Sequence, residues 1–239
     1  MNTQPVVYLV DGDPGGTQAL RRLLQAEAMS VQAFGSAEEF LLAHDPLAPG
    51  CAVLDLCLPG LSGLALQRAL LESEIERFIV FMTGRGDVAA SVQAMKAGAV
   101  DFLLKPFEAQ DFLAAVRNAL ARDEHARKVR QALESIRWRL GTLTPREHEV
   151  LQHVVLGRLN KQIAADLGIA EKTIKVHRAR AMEKMGVATL AELVRKTVAV
   201  EVGALVEDGL DGQLAAGAAA GLPLERRRGD RPDRGSARA

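Results

Sequence analysis

Five short apolar runs, rich in β-branched and aromatic residues, recur through the first half of the chain. They cover residues 6–10, 31–34, 52–56, 78–82 and 101–104. Between them the apolar residues fall at helical spacing: Leu20/Leu23/Leu24, Phe40/Leu41, Leu64/Leu66/Leu70 and Val88/Val92/Met95. Near-continuous apolar strands are buried on both faces, which a parallel sheet with helices on each side provides. The pattern predicts an α/β, (βα)5 doubly wound domain. Ligands of such a sheet sit at the carboxyl ends of its strands.

The rest of the chain follows a different plan. Between Pro106 and Gly141 there is no glycine or proline. The composition there favours helix over a flexible linker, and an apolar stripe runs through Phe112, Val116, Leu120, Val129, Leu133, Ile136 and Leu140. One long helix is expected, joining the first domain (1–122) through a linker (123–140) to a second domain (141–200). That domain opens on Thr144-Pro145-Arg146-Glu147, which reads as a capping box with proline at the first helical position. Gly157, Gly168 and Gly186 then punctuate short helices, with Asn160 expected to cap the second and a fourth beginning near Thr189. Two short helices around a tight glycine turn form a helix-turn-helix pattern. The tail, 201–239, lacks aromatic residues and is expected to be disordered.

Composition narrows the classes. Of 239 residues, 48% are hydrophobic and 25% charged, ordinary for a globular protein. No apolar run reaches the roughly 18–20 residues of a membrane span, and no signal peptide is evident, so a cytoplasmic protein with no membrane contact is expected. Two cysteines, Cys51 and Cys57, are too few for a disulfide framework or a zinc site. The net charge is zero but unevenly distributed. Residues 1–140 carry 14 Lys+Arg against 17 Asp+Glu, and residues 141–200 carry 10 against 6. A basic second domain fits a polyanionic partner.

Four chemically apt residues fall at predicted strand ends: Asp11 after the first, Asp55 closing the third, Thr83 closing the fourth and Lys105 after the fifth. A parallel sheet brings these ends to one crevice. Two carboxylates, a hydroxyl and an ammonium suit a phosphoryl group. One carboxylate can attack phosphorus to form an acyl phosphate, while hydroxyl and ammonium hold its oxygens. Another carboxylate can hold Mg2+.

These residues resemble the receiver domain of bacterial two-component response regulators over residues 5–122. The resemblance lies in Val10-Asp11, the run from Leu54 to Gly60 with Gly63, Met82-Thr83-Gly84, and the run from Asp101 to Phe107. It implies that Asp55 is the phosphoacceptor. It implies a Mg2+ site formed by Asp11, Asp55 and the backbone carbonyl of Cys57. Thr83 and Lys105 would contact the phosphoryl group, and Phe102 would be the aromatic switch that turns inward when Thr83 moves. Phosphorylation would then reshape the surface of helix four and strand five. One departure stands out. The family pairs two adjacent acids after strand one, the second of which ligates the metal directly; here Gly12 takes its place. Asp13, one residue on, is the alternative ligand; otherwise Mg2+ is held weakly.

A second reading treats the receiver as a domain that works without phosphorylation, which Gly12 favours. A third is enzymatic. Asp11-Gly12-Asp13 resembles the first motif of haloacid-dehalogenase-type phosphatases, but this leaves Asp55 unexplained and lacks a later acidic pair at a strand end. A non-enzyme is expected.

On a helical wheel over residues 171–185, Ile174, Ala181 and Met185 share one face, with His177 beside them as a packed, hydrogen-bonded residue. The other face carries Lys172, Lys175, Val176, Ala179, Arg180 and Glu183. A basic stripe supplies phosphate contacts. The strings Leu143–Leu151, Asn160–Ala165, Lys172–Arg178 and Met182–Gly186 resemble the LuxR/FixJ-type DNA-binding domain over 141–198. By that resemblance Lys175 and Val176 read bases. Lys161, Lys172, Thr173, Arg180 and Lys184 are candidates for the basic, phosphate-contacting surface. Ala170 stands where the family places a Ser or Thr cap, so Thr173 or Glu171 is expected to satisfy the helix start. The implied partners are a sensor histidine kinase, double-stranded promoter DNA, RNA polymerase and, on activation, a second copy of the chain.

Overall fold

A computed structural model describes residues 4–73, 75–84 and 88–200; the expected tail lies outside them. The first domain alternates β1 (Val6–Val10), α1 (Pro14–Ala26), β2 (Ser30–Phe34), α2 (Ala37–Ala43), β3 (Gly50–Asp55), α3 (Gly63–Glu72), β4 (Phe78–Thr83), α4 (Val88–Lys96) and β5 (Asp101–Leu104). All pairings are parallel, in the order β2-β1-β3-β4-β5. This is the doubly wound sheet that the apolar runs predict. β1 and β3 are central, and β3 is buried along its whole length. The strands feed two cores. Tyr8, Val10, Leu54, Phe81 and Leu66 lie in one; Val7, Leu9, Val53, Met82, Phe112 and Val116 lie in the other. The alternation of side chains along a strand produces this division.

β3 starts two residues before the apolar run, at Gly50 and Cys51, which pair with Val6 and Val7. Gly50 has φ +144°, and a Cβ there would lie 1.9 Å from the Val6 carbonyl oxygen. Only glycine allows this approach. Burial pushes the Cys51 thiol up to about 12, so that cysteine is an inert core residue.

In α4 the inward residues are Ala90 and Ala94, while Val88, Val92 and Met95 face outward. Small residues let α4 lie close to the sheet, which leaves the larger apolar side chains on the surface together with Leu104.

The long helix forms without interruption as α5 (Ala109–Gly141), 33 residues. Its first turns cover the sheet through Phe112, Ala115, Val116 and Ala119. The segment expected to be linker starts inside the first domain. Asp123 is buried, accepts a 2.9 Å hydrogen bond from the Gly50 N–H and pairs with Arg127. Arg127 in turn donates to the carbonyls of Leu47 and Ala48. The far end of α5 contributes Ile136 and Leu140 to a third core.

That core belongs to α6 (Pro145–Val155), α7 (Asn160–Leu167) and α8 (Glu171–Met185), with residues 190–200 also helical. Its centre is Val150, Leu151, Val154, Ile163, Ile174, Ala181, Met185 and Leu193. The expected capping box is present: Thr144 Oγ1 accepts from the Glu147 N–H and Glu147 Oε2 from the Thr144 N–H. Gly168 and Gly186 end α7 and α8 in the left-handed conformation. Thr189 caps the last helix, accepting from the Glu192 N–H.

Two expected caps differ. Asn160 is the first residue of α7, not its cap; Leu159 is the cap. The Asn160 side chain instead accepts from Arg178 on α8, which ties the two helices together. At α8 the cap is Ala170, with no side-chain bond. Glu171 pairs with Lys175 at 3.1 Å rather than closing the helix start.

Candidate phosphoryl-acceptor pocket and nucleic-acid interface

The strand ends converge as the parallel sheet requires. Lys105 Nζ lies 2.8 Å from Asp11 Oδ2 and 2.6 Å from Asp55 Oδ2. Asp11, Asp55 and Thr83 are buried, and Lys105 is half-buried. The other oxygen of each carboxylate is fixed by backbone. Asp11 Oδ1 accepts from the Asp13 N–H at 2.9 Å, and Asp55 Oδ1 from the Cys57 N–H at 2.8 Å. These bonds aim Oδ2 of both residues at one ammonium. Burial lowers the lysine pKa, but the hydrogen bonds and charges of Asp11 and Asp55 outweigh it, so the ammonium is held above the ordinary lysine value.

Thr83 is fully buried at the end of β4, and its carbonyl accepts from the Lys105 N–H at 2.7 Å, which joins the ends of β4 and β5. The Lys105-Pro106 peptide is cis. Phe102 is partly buried against the first core, with its ring 6.4 Å from that of Phe81. Gly63 sits directly behind the pocket, where a Cβ would come 2.4 Å from the Asp55 carbonyl oxygen. Sequence reasoning did not single it out for that role; a glycine at a helix start gave no sign of the contact.

The neighbouring acid is engaged elsewhere. Asp13 caps α1, accepting from the N–H groups of Gly15 (3.1 Å) and Gly16 (3.0 Å). After Pro14 at the first helical position come Gly15 and Gly16, which are poor helix formers, so this cap supports the first turn. The space over Gly12 is taken: a Cβ there would lie 2.9 Å from Pro59 Cδ. Cys57 is exposed, and its N–H is its recorded tie to the pocket. The pocket therefore presents two carboxylates already joined by an ammonium, and the donor set falls short of a Mg2+ site of the receiver kind. The phosphatase reading uses Asp13 as its acid, whereas here Asp13 caps α1.

In the second domain α8 matches the predicted wheel. Ile174, Ala181 and Met185 are buried, whereas Lys172, Thr173, Lys175, Val176, Ala179, Arg180 and Glu183 are exposed. Lys161 is exposed on α7. His177 is half-buried, but its buried Nδ1 has no hydrogen-bond partner among the described residues, so the bond expected of it is missing there. Lys184 is engaged within the domain. Its ammonium bonds Glu147 Oε2 at 2.6 Å and the Thr142 carbonyl at 3.0 Å. The Lys184 bond and the Thr144 N–H hold the Glu147 carboxyl down to about 2.

Comparison with known proteins identifies the family. The family described as "Response regulator receiver domain" matches residues 7–117, and "Bacterial regulatory proteins, luxR family" matches residues 141–197. Nodulation protein W of Bradyrhizobium diazoefficiens is 41% identical over 203 residues, covering 85% of this chain and 89% of that protein. The chain belongs to the FixJ-like response regulators. The response regulator is also similar to the transcriptional regulatory protein FixJ of Azorhizobium caulinodans, with 42% identity over 189 residues, 79% of this chain and 90% of that one. Among solved structures, the response regulator StyR gives a TM-score of 0.76 at 42% identity, covering 81% of this chain and 98% of that one. Full-length FixJ from B. japonicum gives 0.53 at 37%, covering 84% and 99%. The chain is thus a two-component response regulator with a receiver and a LuxR-type DNA-binding domain. Among the described residues no helix is long and apolar enough to cross a membrane.

Proposed function

We propose that this response regulator is a cytoplasmic transcription factor switched by phosphorylation of Asp55. The observation that carries the reading is the convergence of Asp11, Asp55 and Lys105 at 2.6–2.8 Å. Asp55 Oδ2 attacks the phosphorus of a phosphohistidine on a sensor kinase. The new O–P bond forms as the P–N bond breaks, its electron pair leaving with the imidazole, and an acyl phosphate remains on Asp55. Lys105, already protonated, moves with its charge onto a phosphoryl oxygen, and the Thr83 hydroxyl holds another. No step is assigned to Mg2+, because the donor set does not fit it.

Occupied, the pocket favours one of two existing states, with Thr83 drawn toward phosphate and Phe102 turned inward. The outward Val88, Val92, Met95 and Leu104 then form the surface that meets a second copy. Two copies of α8 face two half-sites about one DNA turn apart. Lys175 and Val176 read bases; Lys161, Lys172, Thr173 and Arg180 contact phosphates. Lys184 serves as an internal tie. The working division is receiver to residue 122, linker to 140 and DNA-binding domain to 200, with RNA polymerase as the downstream partner.

A second reading, a receiver that works without phosphorylation, draws on Gly12 and on Asp13 engaged as a helix cap. Treatment with acetyl phosphate followed by intact mass separates the two. One added phosphoryl group, absent in Asp55→Asn, supports the switch; none in either protein supports the alternative. DNA-site selection with and without the donor then reads the coupling.

A further inference from the structure

Three independent features of the pocket bear on its charge, and the inference from them builds on the reading of that pocket as the phosphoryl site. First, position 12 offers no carboxylate, and the Pro59 ring occupies the room a side chain there would need, with Cδ 2.9 Å and Cγ 3.5 Å from a Cβ. Gly12 is not in the left-handed region, so the obstacle is the ring and not the backbone. Second, both carboxylate oxygens of Asp13 already accept N–H groups of the first turn of α1. Third, one ammonium lies within 2.8 Å of both remaining carboxylates.

A divalent ion entering here would have to displace Lys105 from two charge-assisted hydrogen bonds. In return it would gain at most two carboxylates and backbone oxygen. Hard divalent cations give up their hydration reluctantly and need several well-placed oxygens. Among the described residues no group of three or more His, Cys, Asp or Glu side chains is placed to hold a metal. Lysine, by contrast, is a compact point charge with three donors, and it meets both carboxylates without losing an ideal geometry.

We propose that the Lys105 ammonium is the resident cation of this pocket and that it, together with Pro59 packed over Gly12, keeps a divalent ion from binding tightly there.

The test uses the full chain and Mn2+ alone, read by the electron paramagnetic resonance signal of the free ion. The unmodified protein should show no saturable binding at submillimolar Mn2+. Lys105→Gln, which removes the charge and keeps a polar side chain, should bind at least about tenfold more tightly, the scale on which even outer partners tune a metal site. The double variant Gly12→Asp/Pro59→Ala, which supplies a third carboxylate and the room for it, should do the same by a separate route. Adding Asp55→Asn to either should remove the gain, locating the ion in the pocket. Far-UV circular dichroism checks that each variant folds, and the two routes keep the test decisive if one does not. Saturable binding by the unmodified protein as tight as in either variant overturns the proposal. Phosphoryl incorporation is measured separately by mass, so a failure of Asp55 to accept phosphate leaves the Mn2+ result to stand by itself.

Discussion

Asp123 accepts the backbone N–H of Gly50 at 2.9 Å, joining the long helix to the first residue of β3 across 73 positions of sequence. The same carboxylate holds Arg127, which reaches on to the carbonyls of Leu47 and Ala48. The connecting helix is thereby fastened to the base of the sheet, at the end away from the pocket of Asp11, Asp55 and Lys105. Asp123→Ala leaves a buried N–H unpaired and frees Arg127. It should destabilise the receiver by about 1–3 kcal/mol. Urea unfolding checks the loss, and faster proteolysis within residues 124–140 reports the released helix.

Gly63→Ala tests the packing behind Asp55. The added methyl meets the Asp55 carbonyl oxygen at 2.4 Å and the Phe81 ring at 3.1 Å. Backbone must move, and such overpacking costs about 1–3 kcal/mol. Because the displaced backbone is that of Asp55, phosphoryl incorporation from acetyl phosphate should fall together with the melting temperature.

Acid should unfasten the DNA-binding domain through Glu147. Its folded pKa is depressed to about 2, chiefly by Lys184. A depressed carboxylate contributes fully above its unfolded value of about 4.3 and loses that contribution as the pH falls through the folded one. Melting temperature should therefore decline more steeply between roughly pH 5 and pH 2 in the parent than in Glu147→Gln.

On the recognition helix, Lys175→Ala should weaken binding to the selected site by about 1–3 kcal/mol and relax preference at one base position. Lys172→Ala should weaken binding to all sequences alike and reduce the slope of log affinity against log salt by about one. Gel shifts on substituted duplexes over a salt series distinguish the two roles.

The strand pattern and the pocket were legible because both follow from local rules. Apolar runs mark buried strands, and parallel strands must bring their ends together, so Asp11, Asp55 and Lys105 could be grouped from their positions alone. What remained hidden depends on tertiary pairing. Asp123 reads as one more acid in a charged helix until β3 begins at Gly50 and presents an unpaired N–H. Lys184 reads as part of a basic stripe until α6 places Glu147 beside it. In α4 the larger apolar residues suggested the buried face, yet the close approach to the sheet selects Ala90 and Ala94 for the inside. The Lys105 bridge and the Pro59 ring over Gly12 are likewise contacts between distant loops.

The unbroken α5 spans 33 residues, about 50 Å at the rise of an α-helix. A rigid shaft of this kind is sensitive to phase. Inserting one alanine near residue 132 would turn everything beyond it by about 100°, whereas four would bring it nearly back to its original azimuth, one step further along. Spacing along this shaft thus sets the azimuth at which the DNA-binding domain stands relative to the receiver.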